Sequence, residues 1–208
     1  MGSAEKTDQI LDSSLAVFCR YGFSKTTMKD LADAAGISRA SLYLHFNNKE
    51  ELFRAGSERA HATVMSEVEA RLGGEGSVIQ RIDAAMTEYL QGLMEEISAS
   101  PHGQELFDSN WNLSSDITQA SRERVTDLIA TALFEASREE EIELRGIRTT
   151  PSELAGLIMS TVEGIKATGG TGGQLSGGIS LFMRVLGEAI SITDESSTSL
   201  AKKSGRVA

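Results

Sequence analysis

A chain of 208 residues fits one or two domains and is long enough to bury a real core. Pro occurs only at Pro101 and Pro151 while Ala, Leu, Glu and Met are plentiful, so the expected class is all-α. With no apolar run long enough for a bilayer, no signal core or myristoylation pattern in Met1–Lys6, and Cys19 alone, the expected setting is a reducing cytoplasm without a membrane contact or an internal disulfide.

Residues 1–5 are expected to be loose. A first helix over 6–21 would bury Ile10, Leu11, Leu15, Phe18 and Cys19, and Gly22 would end it. The stretch 25–49, KTTMKDLADAAGISRASLYLHFNNK, then reads as helix, tight turn and helix. Thr27-x-x-Asp30 has capping-box spacing for a helix over 27–35, with Met28, Leu31, Ala32 and Ala35 on one face. Gly36 can take the positive φ of a sharp turn. Ser38 caps a third helix over 38–46, whose Leu42 and Phe46 point inward, and small Ala32 permits the close crossing that a helix-turn-helix requires.

Asn48-x-x-Glu51 restarts a helix, a connector over 48–72 with Leu52, Phe53, Gly56, Ala60, Val64, Val68 and Leu72 at helical spacing. After the break Gly73-Gly74-Glu75-Gly76, a helix over 77–98 has so wide an apolar surface that it should pack on more than one side. Ser100-Pro101 signals a short helix to 111, followed by one over 115–140. The run Glu139-Glu140-Glu141-x-Glu143 is read as a solvated helix end, because consecutive carboxylates on a helix diverge. Thr150-Pro151-Ser152-Glu153 opens an eighth helix to 168, with Leu154, Leu157, Ile158, Thr161, Val162 and Ile165 inward. Gly169-Gly170-Thr171-Gly172-Gly173, with Gly177-Gly178 soon after, reads as a flexible interhelical linker before a ninth helix over 174–192, and the glycine-rich 169–178 segment suggests no function of its own. The tail 193–208 is polar and expected to be disordered.

Positive signs of catalysis are missing. His45, His61 and His102 share no metal-ligand spacing with one another or with Cys19, and no Gly-x-Ser-x-Gly elbow occurs. The glycine run lacks the Lys-Ser/Thr ending of a phosphate loop, and Leu175 stands where a dinucleotide motif needs its third glycine. No enzyme activity, metal or cofactor is expected.

Gly36 to Phe46, with Leu42-Tyr43-x-His45-Phe46 followed by Lys49-Glu50-x-Leu52, resembles the recognition helix and following segment of tetracycline-repressor-like (TetR) regulators. Phe18, Tyr21-Gly22-Phe23, Thr26-Thr27 and Ile37 are similar to that family as well. The resemblance covers roughly the first quarter of the chain. It implies an N-terminal three-helix helix-turn-helix DNA-binding domain over 1–47 and a C-terminal helical bundle over 48–192 for ligand binding and dimerisation.

For a reader of double-stranded DNA, Arg39 is the best base contact, since its fork matches guanine O6 and N7. Ser41 could touch a base edge or a thymine methyl. Tyr43, by the resemblance, stands near the backbone. Thr26, Thr27, Ser38, His45 and Lys49 suit phosphate contacts. The alternatives are capping for Thr27 and Ser38, structural support for His45 and a solvated side chain for Lys49. Two modules in a homodimer would read half-sites of a near-palindromic operator; the resemblance implies that helices 8 and 9 join the copies. It also implies a cavity for a small apolar or amphipathic ligand, with Met86, Tyr89, Met94, Phe107, Trp111 and Met159 as walls and Glu163 and His102 as polar anchors. Taken singly, each wall residue is more simply core. Residues 1–54 hold seven cationic and seven acidic residues, the remainder thirteen and twenty-three, so all of the −10 charge lies outside the reading module. The expected function is a sequence-specific transcriptional regulator, a repressor released by a small ligand. The alternative is an all-helical ligand-binding or protein-interaction module that no longer binds DNA.

Overall fold

Short polar caps set where the helices begin. In the computed structural model, which describes residues 3–92, 95–167 and 172–192, α1 (Ser3–Tyr21) starts three residues before the sequence signal and closes on Gly22 at φ 80°. The Thr27 hydroxyl accepts the Asp30 N–H and the Asp30 carboxylate accepts the Thr27 N–H, opening α2 (Met28–Ala34). This reciprocal pair satisfies two backbone donors that the helix itself cannot. Gly36, at φ 66°, makes the turn into α3 (Arg39–Tyr43), where Ser38 Oγ accepts the Ser41 N–H. Asn48 Oδ1 accepts the Glu51 N–H at the head of α4 (Lys49–Leu72). Thr150 and Glu153 form the same reciprocal cap for α8 (Pro151–Ala167).

The remaining helices are α5 (Val78–Gly92), α6 (Glu95–Ala99), α7 (Gly103–Arg138) and α9 (Gly172–Ile190). No strand occurs among the described residues, only an isolated bridge between Ile142 and Ser191. The buried apolar side chains fall into two clusters. The first joins Ile10 and Phe18 of α1, Leu31 of α2, Leu42 of α3, Leu52 and Phe53 of α4, and Leu106 of α7. The second joins Val64 to Leu72 of α4 with Ile82 and Met86 of α5, Ile129 of α7, Ile158 of α8 and Ile179 of α9. Both clusters therefore share α4 and α7, which run side by side.

Several expectations change. The helix expected over 77–98 is described as α5 and α6, and residues 93–94 between them lie outside the described residues. Ser100-Pro101 does not open a helix: the Ser100 hydroxyl donates to the Cys19 carbonyl at 2.7 Å and accepts the His102 N–H, so it ties α1 to a turn instead. The helices expected over 101–111 and 115–140 are one helix, α7, broken locally at fully buried Ser114 (φ −142°, ψ 18°). On α4, Ala60 faces solvent and His61 takes the buried position, because His61, Val64, Met65, Val68 and Leu72 share one stripe. Leu157 on α8 is 55% exposed rather than inward. The Glu141 carboxylate is not merely solvated: it accepts the Val78 N–H and lies 3.8 Å from Arg81, capping α5. Gly172 and Gly173 belong to α9, not to a linker, and further along that helix a Cβ on Gly178 would meet Ile165 of α8 at 3.2 Å. Residues 168–171 and the tail 193–208 lie outside the described residues.

Candidate nucleic-acid interface

The outer surface of α3 is built on one buried anchor. Leu42 is fully buried against the first cluster, with Leu31 and Ala32 of α2 beneath it. That fixes which side of α3 turns outward, and Arg39, Ala40, Tyr43 and Leu44 are all exposed there. Arg39 Nη2 donates to the Tyr43 hydroxyl at 3.1 Å, and the guanidinium lies 5.4 Å from the Tyr43 ring centroid. Residues four apart meet on one helical face, so this pair holds the cation in place without a bond to the rest of the fold. Ser38 is exposed but its hydroxyl is occupied as the α3 cap; Ser41 is half-buried. Thr27 is exposed, and its hydroxyl and N–H hold the Asp30 carboxyl below its ordinary range.

Three of the other sequence candidates face inward. Thr26 is 2% exposed and its hydroxyl donates to the Gly22 carbonyl at 2.6 Å. His45 Nδ1 lies 3.1 Å from Thr7 Oγ1, bridging α3 to α1. Lys49 Nζ donates to the carbonyls of Phe23 (2.8 Å), Ser24 (3.1 Å) and Thr26 (3.1 Å) and sits 4.6 Å from the Phe23 ring centroid. An ammonium has three N–H donors, and here all three are spent on the turn between α1 and α2. The Lys49 side chain is thus a brace for that turn, not a free cation, and the sequence could not reveal this because the carbonyls come from residues 23–26. Lys49→Ala should destabilise the protein by about 1–3 kcal/mol with no DNA present, as read by urea unfolding; unchanged stability would return Lys49 to the solvated class.

The structure scatters the proposed ligand walls. Met86, Tyr89 and Met159 lie together in the second cluster, each no more than 6% exposed. Burial raises the Tyr89 phenol, with the nearby Glu163 charge adding to it. Glu163 itself pairs with Arg122 at 3.0 Å. Phe107 and Trp111 sit on the first half of α7, half-buried and 74% exposed, and His102 precedes that helix, its Nδ1 3.5 Å from Glu105 near Gly22. Met94 lies outside the described residues. Two open clefts lie elsewhere, one around Arg71, Asp83 and Glu88 and one around Ser13, Arg20 and Asp33. Sequence reading missed a polar cluster between α4 and α7. Ser57 donates to Asn110, Asn110 donates to Thr118, and Thr118 Oγ1 lies 3.4 Å from Nε2 of buried His61. Burial lowers the His61 imidazole, and the Lys166 charge adds to the effect. The position of His61, three and four residues before Val64 and Met65, was the available signal. Among the described residues no group of three His, Cys, Asp or Glu is placed to hold a metal.

Residues 10–55 match the model of bacterial regulatory proteins of the tetR family. A 51-residue stretch is 47% identical to the probable acrEF/envCD operon repressor of Escherichia coli, covering 24% of this chain and 23% of that protein. A 59-residue stretch is 39% identical to the HTH-type transcriptional regulator TtgR of Pseudomonas putida, covering 28% of each. The match spans about a quarter of the length of these curated relatives. Over nearly the whole chain the fold is similar to that of SmeT, the repressor of the Stenotrophomonas maltophilia multidrug efflux pump SmeDEF, at TM-score 0.66 and 22% identity, covering 90% of this chain and 91% of that one. A TetR-family transcriptional regulator of Pectobacterium atrosepticum is similar at TM-score 0.66 and 20% identity, covering 91% and 98%. The N-terminal module, residues 10–55, is thus similar to that of the tetR family of bacterial regulatory proteins, and it stands on an all-helical fold similar to that of these solved regulators.

Proposed function

We propose that this protein is a homodimeric, sequence-specific DNA-binding regulator that represses transcription until a small apolar or amphipathic ligand releases it. The observation that carries the reading is the outward face of α3, where an exposed Arg39 is steadied by Tyr43 opposite the buried Leu42. Arg39 is the proposed base reader, with Tyr43, Ser38, Ser41 and Thr27 as its neighbours on the duplex. Thr26, His45 and Lys49 act through the shape of the module, since Thr26 and His45 also donate their backbone N–H groups to Gly22 and Leu42. Residues 1–47 form the reading module and 48–192 the regulatory part in this view, which works on DNA in the cytoplasm.

Dimerisation through α8 and α9 is supported by their exposed apolar side chains. Leu157 on α8 is 55% exposed, and Leu181 and Val185, one turn apart on α9, are 54% and 62% exposed. A second copy would cover such a stripe and set two reading heads one helical turn of DNA, or a multiple of it, apart. SmeT has also been solved in complex with triclosan, a precedent for a small ligand on this fold. Met86, Tyr89 and Met159, with Glu163 at their edge, are the proposed walls here. A ligand that favours one packing of α4 against α7 would shift the population toward it and move the reading heads.

Specific ties exist to carry such a shift. The Arg54 guanidinium of α4 grips both Asp116 carboxylate oxygens and the Leu113 carbonyl, on either side of the Ser114 break in α7. Arg59 holds Asp12 of α1 at 2.6 Å, and Glu105 of α7 accepts the Ser24 N–H at 2.7 Å. That N–H keeps the Glu105 carboxyl below its ordinary range.

Selection of bound duplexes from a random pool tests the central claim: a near-palindrome should be enriched, and Arg39→Ala should lose about 1–3 kcal/mol at one position of each half-site. A folded protein that enriches nothing at low salt would favour the ligand- or protein-interaction module. Val185→Asp should halve the mass seen by light scattering at micromolar concentration, while an unchanged mass would move the dimer elsewhere. The Arg54 guanidinium holds the Asp116 carboxyl down at about 2, from an ordinary 3.8. Because the folded value is depressed, this contribution to stability is complete above the ordinary value and fades as pH falls toward about 2. The gap in urea midpoint between wild type and Asp116→Asn should accordingly be constant from pH 7 to 5 and close as pH falls from 4 to 2.

A further inference from the structure

The outward face of α3 has an apolar centre. At about 3.6 residues per turn, positions 40 and 44 lie together on the side diametrically opposite position 42. Leu42 is fully buried, so Ala40 and Leu44 occupy the crest of the helix. Leu44 closes α3 with helical φ −75° and ψ −17°, which keeps it in line with Ala40. At 85% exposure it is the most exposed large apolar side chain among the described residues. The Arg39 guanidinium lies back over Tyr43 on the adjacent strip, so it does not cover this crest.

We propose that Ala40 and Leu44 together read the C5-methyl groups of thymine in the major groove, next to the base met by Arg39. The inference rests on the DNA-binding reading above and deepens it by naming what the module reads. Neither side chain can hydrogen-bond a phosphate or a base edge. On the floor of the major groove the apolar group on offer is the thymine methyl, and small or aliphatic side chains are its usual partners. The flanking Arg39 supplies a cation beside this strip, and the first 54 residues carry no net negative charge to hold a duplex away. A methyl packed against Leu44 removes apolar surface of both partners from water, worth about fourfold in affinity for each methyl-sized group.

The test uses the full-length protein and the duplex it enriches, with deoxyuridine replacing thymidine one position at a time in each half-site. Wild type should bind about fourfold more weakly for each methyl removed, at one or two positions per half-site. Leu44→Ala should bind the thymine duplex correspondingly more weakly and no longer distinguish uracil there. Leu44 packs against little, so the variant should melt with wild type, confirming that the fold is intact. Equal wild-type affinity for thymine and uracil duplexes at every position would overturn the inference while leaving the DNA reading in place. Full discrimination retained by Leu44→Ala would do the same. Enrichment of no duplex at all would overturn both.

Discussion

Lys49 sits where three pieces of chain must agree. As the first residue of α4 it reaches back to the carbonyls of Phe23, Ser24 and Thr26, and it covers the Phe23 ring. Chain that turns between two helices has carbonyls without helical partners, and one ammonium satisfies three of them. Phe23 in turn stacks on Phe18 of α1 at 5.7 Å and meets Phe53 of α4 edge-on at 5.2 Å, with Phe18 and Phe53 also edge-to-face. The cation and the aromatic trio thus fasten α1 and α4 around the turn that launches α2. The direction of α3, and so of Arg39, follows from that fastening.

Beyond α1 to α3, α4 and α7 share a seam whose character changes along its length. It is apolar where Phe53 and Leu106 belong to one cluster and apolar again where Val68 and Ile129 belong to the other. Between them lie Ser57, His61, Asn110 and Thr118. Apolar packing tolerates small rotations, whereas hydrogen bonds are directional, so the middle of the seam fixes the register of the two helices. The Ser114 break falls in this polar stretch, and Arg54 spans it from the α4 side.

Local chemistry was legible in the sequence. The caps at Thr27, Ser38, Asn48 and Thr150 form between residues three apart, so spacing alone identified them. The inward set of the reading module, Leu31, Ala32, Leu42 and Phe46, followed from helical periodicity. What depended on distant partners was not legible. Lys49 has the composition of a phosphate contact, and only the folded turn spends its donors internally. Trp111 is apolar by type, yet no wall of the fold comes to meet it. Ser100 had the sequence of a helix cap and was captured by Cys19, 81 positions away. Histidine carries no clear inward or outward preference, so apolar spacing alone gives Ala60 the buried place that His61 holds. Gly172 and Gly173 suggested a linker by propensity yet lie inside α9, and further along that helix Gly178 sits where a Cβ would crowd Ile165.

The unequal distribution of charge has a directional consequence. A neutral reading end on a body that carries all of the −10 charge gives the molecule an electrostatic front and back. In the proposed role, a duplex drifting toward the body would meet repulsion and one drifting toward α3 would not, so encounters would be sorted by orientation before any base is touched. Salt shortens the reach of that field to about 10 Å at 0.1 M and to about 3 Å at 1 M. The sorting is therefore sharpest in dilute buffer, the condition under which a uniformly basic protein would lie indiscriminately along DNA.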